Sequence, residues 1–488
     1  MNDELKIKNN ELGGKMNYRY RNDEEMKDSG IEWIGKIPNE WSIKPVKYLA
    51  NKNQYYPIGD GDHGSIKPEM YQDEGVPYIR VQNLSWGNEL NFEGMVYISE
   101  KVNNDNKKSI LKPKDILIAK TGATIGKTAI IPEGILEANT TSSVGKVTVD
   151  HSKVDYKYVA YYFQSLPFLT QINMTAYQKS AQPGFNIDDL IDYKVSLPEE
   201  IRKQREISDF LDKKTAQFDS IISKKEALIE KLEEAKKSLI SEVVTGKVKV
   251  VKTNDGYELV ERKKEEMKDS GVEWLEDIPK EWDLKRSNYV FKFSKGLSIT
   301  KENLQNEGIP CINYGEIHSK YGFEVNPKRH KLKCVTEEYF NSNPNALIKY
   351  GHFVFADTSE DIQGCGNFSY LNAEDSIFAG YHTIIVRPIK TVSSRYLAYL
   401  FDSDDWRIQI RTKVSGIKVF SITQSILKTT KVILPTLSEQ KLIVDYLDNK
   451  FVNINSMINN MKKQIEKLKE AKQSLISEAV TGKIEILD

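Results

Sequence analysis

Residues 119–129, AKTGATIGKTA, gather two glycines, two lysines and several hydroxyls on one short stretch, the composition of a turn that could cradle a phosphate. A nucleotide-binding loop of the form GxxxxGK[ST] needs four residues between its glycines, so that successive N–H groups wrap the phosphates. Gly122 and Gly126 enclose only three, and the related stretch ADTSEDIQGCG at 356–366 has no lysine. The reading is a glycine-bearing surface loop at the end of a strand, DILIAK. The six histidines (His63, His151, His318, His330, His352 and His382) show neither HExxH nor i,i+4 pairing, so no metal site is expected. Cys311, Cys334 and Cys365 are an odd number at wide spacings, which fits neither a disulfide framework nor a CxxC knuckle; they read as reduced, structural thiols. No GxSxG elbow and no glycine-rich dinucleotide loop appear. The sequence holds no catalytic constellation, and chemistry is expected to belong to partners.

The whole chain sets the frame for that conclusion. It has 488 residues, 70 Lys and Arg against 70 Asp and Glu, 39% hydrophobic residues and a mean hydropathy of −0.52. This is a mixed-sign, globular composition of multidomain length. Its apolar runs fall short of the roughly 18 residues of a membrane span, and the polar start MNDELKIKNNELGGK has no signal-peptide core. A cytoplasmic protein with no membrane partner is expected.

An internal repeat organises the sequence. MKDSGIEWIGKIPNEW at 26–41 recurs as MKDSGVEWLEDIPKEW at 267–282, with 11 of 16 positions identical. EKLEEAKKSLISEVVTGK at 230–247 recurs as EKLKEAKQSLISEAVTGK at 466–483, with 15 of 18 identical. The offsets, 241 and 236, define one unit of about 240 residues written twice. Between the blocks only echoes survive: GVPYIRVQNL (75–84) with GIPCINYGEI (308–317), YVAYYFQS (158–165) with YLAYLFDS (396–403), and Phe185 and Ile187 with Phe420 and Ile422. Short β-branched and aromatic runs broken by Gly, Asn and Pro predict an α+β domain in each copy.

Each copy ends in a long helix. From Gln204 to Thr245 there is no Pro or Gly, and Phe218, Ile221, Leu228, Leu232 and Leu239 recur at seam spacing with Lys225 interrupting. Ile454, Met457, Met461, Leu468 and Leu475 repeat the pattern, with Gln464 interrupting. Gly246 and Gly482 stand where helix-ending glycines are expected. The first helix leads from the first variable domain to the second block, and the repeat sends the second helix back to the first block. The two must therefore pair antiparallel, closing the chain like a ring with a pseudo-two-fold axis. The predicted division is a polar N-terminal extension (1–25), a first variable domain (26–196), a spacer helix (197–250), a linker (251–266), a second variable domain (267–433) and a second spacer helix (434–488).

From Met26 onward this combination resembles the specificity subunits of type I DNA restriction-modification systems. The resemblance rests on the [IV]EW[IL]xxIPxEW blocks, the TGATIGK loop, AGYHT at 379–383, and the paired QxxIxxxLD and AKxSLISExVTGK stretches. It implies two tandem α+β target recognition domains joined by two long antiparallel coiled-coil helices, each domain reading one half of a bipartite site in double-stranded DNA. The spacer would set the gap and bind two modification (methyltransferase) subunits, through which translocase-nuclease restriction subunits are recruited. This chain itself would be non-catalytic and hold no cofactor; S-adenosylmethionine, ATP and Mg would be used by its partners. A specificity subunit for a methyltransferase without a nuclease, or a protein-binding scaffold, are the alternatives. The extension at 1–25 and the lost lysine in the second loop depart from the family pattern.

DNA affinity rests on Lys and Arg meeting phosphates, and specificity on Arg, Asn, Gln and hydroxyls at base edges. Residues 44–196 hold 17 basic and 17 acidic residues, while 285–433 hold 20 and 14, a net of +6. In the first domain the candidates are Arg80, Gln82 and Asn83 after VPYI, then Lys120, Thr121, Thr124 and Lys127, and Lys179, Ser180, Gln182 and Asn186. In the second they are Asn313, Tyr314, Thr358, Ser359, Gln363, Tyr381, Lys413, Ser415 and Lys418. Overall neutrality predicts that the chain alone grips DNA weakly.

Overall fold

Two helices of 44 residues, Ile201–Val244 and Leu437–Val480, run through the computed structural model, which describes residues 18–176, 183–389, 391–416 and 418–487. Both helices are shared between two units, one made of 1–226 with 462–488 and the other of 227–461. Each unit therefore contains a stretch of both helices and an α+β domain, the fold class expected from the sequence.

In the first unit a four-stranded antiparallel sheet has the order Ile58–Asp60, Val144–Val147, Ile116–Ala119, Thr128–Ile130. Ile116–Ala119 is buried at all four positions, so it reads as a continuous apolar run rather than an alternation. A three-stranded sheet places Val76–Ile79 between Asn139–Thr140 and Val96–Ile98. Helix Tyr156–Gln164 starts where the Asp155 carboxylate accepts from the Tyr158 N–H at 2.9 Å. It packs beside Leu166–Ala176 through the stacked rings of Phe163 and Phe168, 4.3 Å apart.

In the second unit the larger sheet has five strands, Phe291–Lys295, Thr383–Pro388, Phe353–Ala356, Phe368–Leu371 and Phe323–Val325. The smaller has four, Lys333–Val335, Ile309–Ile312, Ile377–Ala379 and Leu347–Ile348. Cys311, Cys334 and Cys365 are buried free thiols.

The repeat, faint in sequence between the blocks, is explicit in hydrogen bonds. The Gln171 side chain exchanges two bonds with the Lys194 backbone, and Gln409 does the same with Lys431. Gln204 accepts from the Asp155 N–H and donates to the Pro198 carbonyl; Gln440 repeats this with Ser393 and Pro435. Asp212 accepts from Lys157 at 2.6 Å and Tyr161 at 2.7 Å. In the second unit Asp448 accepts from Arg395 at 2.9 and 3.0 Å and from Tyr399. The two QxxIxxxLD stretches thus fasten each domain to the start of its own helix.

The near-identical blocks fasten each domain to the end of the other helix. Gly482, at φ +71°, lies so close to Pro38 that an added Cβ would sit 2.3 Å from its Cγ; Gly246, at φ +81°, meets Pro279 in the same way. Only glycine fits such a left-handed, close-packed helix end. Within the first unit the two ends of the chain meet: Tyr18–Tyr20 pairs antiparallel with Ile484–Ile486.

Two boundaries are corrected. The stretch 1–25, expected as a polar extension, joins the folded unit from Tyr18 on, since Tyr18–Tyr20 is a paired strand and Arg21 bonds Glu485 at 3.3 Å; residues 1–17 lie outside the described residues. The stretch 251–266, expected as a linker, carries most of a β-hairpin, Val248–Thr253 with Gly256–Glu261, joined by the two-residue turn Asn254–Asp255. A third correction concerns the Phe185/Phe420 echo. Phe185 N–H donates to Lys120 O and Ile422 N–H to Asp357 O, so the partner of Phe185 is Ile422, two residues further on.

Within each unit the helix seams touch. In the first unit Lys472 Nζ reaches Asp219 at 2.7 Å and Lys225 Nζ reaches Gln464 at 2.7 Å, residue numbers falling on one helix as they rise on the other, hence antiparallel. In the second, Lys236 Nζ lies 3.2 Å from Asn455 and 4.9 Å above the Phe451 ring, and burial lowers its ammonium below the usual range. Phe218, Met461, Leu468 and Leu475 are buried as expected, while Ile221, Leu232, Leu239 and Ile454 are half-buried. Leu228 and Met457 are not seam residues: they are 47% and 54% exposed, and Ile229 and Ile458 take their places. The stripe follows 218, 222, 225, 229, 232 and 236, a strict alternation of four and three. It admits two lysines, so choosing the apolar residue at each turn displaced it by one.

Candidate nucleic-acid interface

The loop that follows Ile116–Ala119 is tied to residues 183–185 by Gly122 N–H to Pro183 O (3.1 Å) and Phe185 N–H to Lys120 O (3.2 Å). Gly122 and Gly126 take φ of 75° and 86°, and a Cβ on Gly126 would lie 2.6 Å from Leu169. The loop is therefore a packed surface turn that presents Thr121, Thr124 and Lys127, all half-buried. Lys120 is not presented: it is buried at 6% exposure and paired with Asp60, whose other oxygen lies 3.1 Å from His63.

The turn after Val76–Ile79 separates the next three candidates. Gln82 is exposed; Arg80 is half-buried, donating to Gly94 O at 2.6 Å with its guanidinium 5.7 Å from the Tyr71 ring. Asn83 is fully buried, accepting from the Arg80 N–H and donating to Asn91 O, so it shapes the turn and offers nothing to solvent. Asn186 is exposed at the start of helix Ile187–Asp192. Lys179, Ser180 and Gln182 lie outside the described residues.

In the second unit the equivalent loop is pinned as a short ladder, Thr358 and Ser359 pairing with Ser421 and Phe420. Ser359 is buried on Asp361 O, and Asn313 is buried with its amide on Glu316; these two are structural. Gln363, Ser415 and Lys418 are exposed, as is Lys413, whose Nζ meets Thr429 at 3.0 Å. Tyr314 and Tyr381 are brought together, edge to face at 5.7 Å, and burial pushes the Tyr381 hydroxyl up.

Two histidines complete this patch. His382 stacks edge-on to Tyr314 at 5.4 Å and holds Asp357 through Nδ1 at 3.1 Å. His318 Nε2 lies 2.8 Å from the Thr358 carbonyl, which can only accept, and its Nδ1 lies 2.8 Å from the Asn367 amide nitrogen, which can only donate. His318 is therefore the neutral Nε2–H tautomer, a structural support. The sequence signal for His382 is AGYHT at 379–383, where metal-ligand spacing has no bearing. Among the described residues no group of three or more His, Cys, Asp or Glu could hold a metal ion, and no helix is long and apolar enough to cross a membrane.

The geometry is that of two equivalent surfaces with different side chains on a repeated frame. Comparison with known proteins agrees. The family model for the type I restriction modification DNA specificity domain matches residues 57–233 and 279–467. The type I restriction enzyme MjaVIII specificity subunit of Methanocaldococcus jannaschii is 22% identical over 462 residues, 92% of this chain and 94% of that protein. The EcoKI specificity subunit of Escherichia coli is 22% identical over 211 residues, 42% of this chain and 44% of that one. A chain from a structure of type I R-M complex assembly and conformational transition superimposes with a TM-score of 0.64 at 13% identity, covering 91% of this chain and 98% of its own length.

Proposed function

This chain belongs to the type I restriction modification DNA specificity family, and we propose on that footing that it is the sequence-reading subunit of a type I restriction-modification complex. Each α+β domain reads one half of a bipartite site in double-stranded DNA. The paired helices set the gap and dock two modification subunits, through which restriction subunits join. The chain itself is non-catalytic and acts in the cytoplasm; methyl transfer, with S-adenosylmethionine, and ATP- and Mg-dependent translocation belong to those partners.

One observation carries this reading. The Lys120 N–H donates to Ser143 O at 2.8 Å, and the Asp357 N–H to His382 O at 3.1 Å, the same frame bond in both domains. The frame is constant while the residue it presents changes from serine to histidine, as two readers of different half-sites require. The net +6 of residues 285–433 supplies counterions' replacements for phosphate, and the balanced first domain leaves more of the grip to partners.

Replacing residues 44–196 by the corresponding domain of another family member, then sequencing methylated bases in the host, tests it. One half of the recognised sequence should change and the other should stay. A change in both halves would show that the domains are not independent, and the absence of any sequence-specific methylation with the unaltered chain would remove the reading altogether.

A further inference from the structure

We propose that His382 reads a base edge in the second half-site, presented by the turn between strands Ile377–Ala379 and Thr383–Pro388 and aimed by Asp357; this rests on the DNA-reading function above.

The backbone at His382 has φ +53°, in the left-handed region. A residue with a Cβ costs roughly 1 kcal/mol there, which Gly avoids and which His, Asn and Asp bear more readily than other side chains. The histidine gains little from packing in return, because its side chain is 57% exposed. Its local role in the fold, accepting the Asp357 N–H through its backbone carbonyl, needs no imidazole, and Ser143 fills it in the first domain. That backbone role does not account for the imidazole, whose side chain stays more than half exposed.

Its orientation is fixed from three sides. Nδ1 lies 3.1 Å from Asp357 Oδ1, a carboxylate that accepts, so Nδ1 carries hydrogen. The rings of Tyr314 and Tyr381, at 5.4 and 6.0 Å, limit rotation. Nε2 has no hydrogen-bond partner among the described residues. A positioned Nε2 is an acceptor for adenine N6 or cytosine N4 when the ring is neutral and a donor to guanine N7 or O6 when it is charged. The surrounding loop carries further exposed groups, but none is so strained, so aimed and so unemployed in the fold.

His382→Gly is the informative variant, because glycine suits φ +53° and the fold is not put at risk. In the host that carries the partner subunits, methylated-base sequencing of the full chain and the variant compares the recognised sequences. The expected result is that one base pair of the half-site untouched by the 44–196 exchange loses its preference by about ten-fold, while every other position and the melting temperature of the purified chain stay as they were. Asp357→Asn should weaken the same position to a lesser degree. An unchanged sequence, or methylation reduced at all sites with the sequence intact as for a phosphate contact, overturns the proposal. If the unaltered chain directs no sequence-specific methylation, the proposal falls together with the reading it rests on, and that outcome is told apart because it precedes any substitution.

Discussion

Tyr158 donates its hydroxyl proton to the carbonyl of Val480, 322 residues later in the chain, at 2.9 Å. The same hydroxyl lies 2.8 Å from Ser196 O, so one buried phenol ties its own domain's closing strand to the end of the returning helix. Tyr396 repeats the arrangement with Ile433 O at 3.2 Å and Val244 O at 3.4 Å. Helix ends leave unsatisfied carbonyls, and a buried donor there fixes where the helix stops. Tyr158→Phe should lower stability by about 1 kcal/mol, the net worth of a buried hydrogen bond, because Ser196 Oγ still donates to Val480 O at 3.2 Å. Tyr396→Phe, losing longer bonds, should cost less. Thermal or urea unfolding of the two variants checks the order; equal effects would mean that the shorter bonds carry no extra weight.

The corrected seam gives a sharper comparison. Leu228 and Ile229 are neighbours, 47% and 9% exposed. Leu228→Lys should change stability by no more than about 0.5 kcal/mol, as surface substitutions do. Ile229→Lys puts an ammonium into the apolar stripe and should cost several times that. Unfolding midpoints separate the two cases, and a large loss with Leu228→Lys would restore the seam read from the apolar pattern alone.

How much of this was readable beforehand follows from where each signal lives. The blocks around Trp41 and Trp282 were plain because 11 of 16 residues repeat, and they repeat because both copies build the same joint against Gly482 and Gly246. The heptads were plain in period and wrong in phase at Leu228 and Met457. Ile221 and Ile222 each have an apolar residue seven places on, and only the partner helix decides between them. Asn83 and Lys120 have the residue types of a DNA surface but are spent on Asn91 O and Asp60, partners that composition cannot show. His382 was missed for the converse reason: its positive φ and its Asp357 contact, 25 residues away, exist only in the folded chain. Frame residues are thus legible through repetition, and candidate reading residues are not, because they differ between the copies.

Acid should expose His352. Burial lowers its pKa to about 4, and its Nδ1 accepts from the Lys349 N–H at 3.2 Å, a bond the neutral ring alone can make. Unfolded, the ring titrates near 6.5. Between pH 6.5 and 4 the unfolded chain therefore binds the extra proton, so this residue subtracts stability progressively as pH falls through that window and adds no dependence above it. His352→Gln should flatten the fall in melting temperature between pH 6.5 and 4. A variant whose pH profile parallels that of the unaltered chain would show that His352 is protonated in the folded state.

The last expectation concerns the helices as a spacer. Seven residues preserve the phase of a heptad stripe and lengthen a helix by roughly 10 Å at 1.5 Å per residue. Duplex DNA rises 3.4 Å per base pair, so one heptad added to both helices corresponds to about three more unspecified base pairs between the half-sites. The insertions belong within 218–239 and at the antiparallel counterpart in 454–475, with the lysine positions 225 and 236 and their partners Gln464 and Asn455 kept in register. An insertion in one helix alone leaves the partner too short to span the same seam and should lower stability instead of lengthening the gap. Methylated-base sequencing reads the gap directly, and a double insertion that folds, methylates and leaves the gap unchanged would show that the helices are not what sets it.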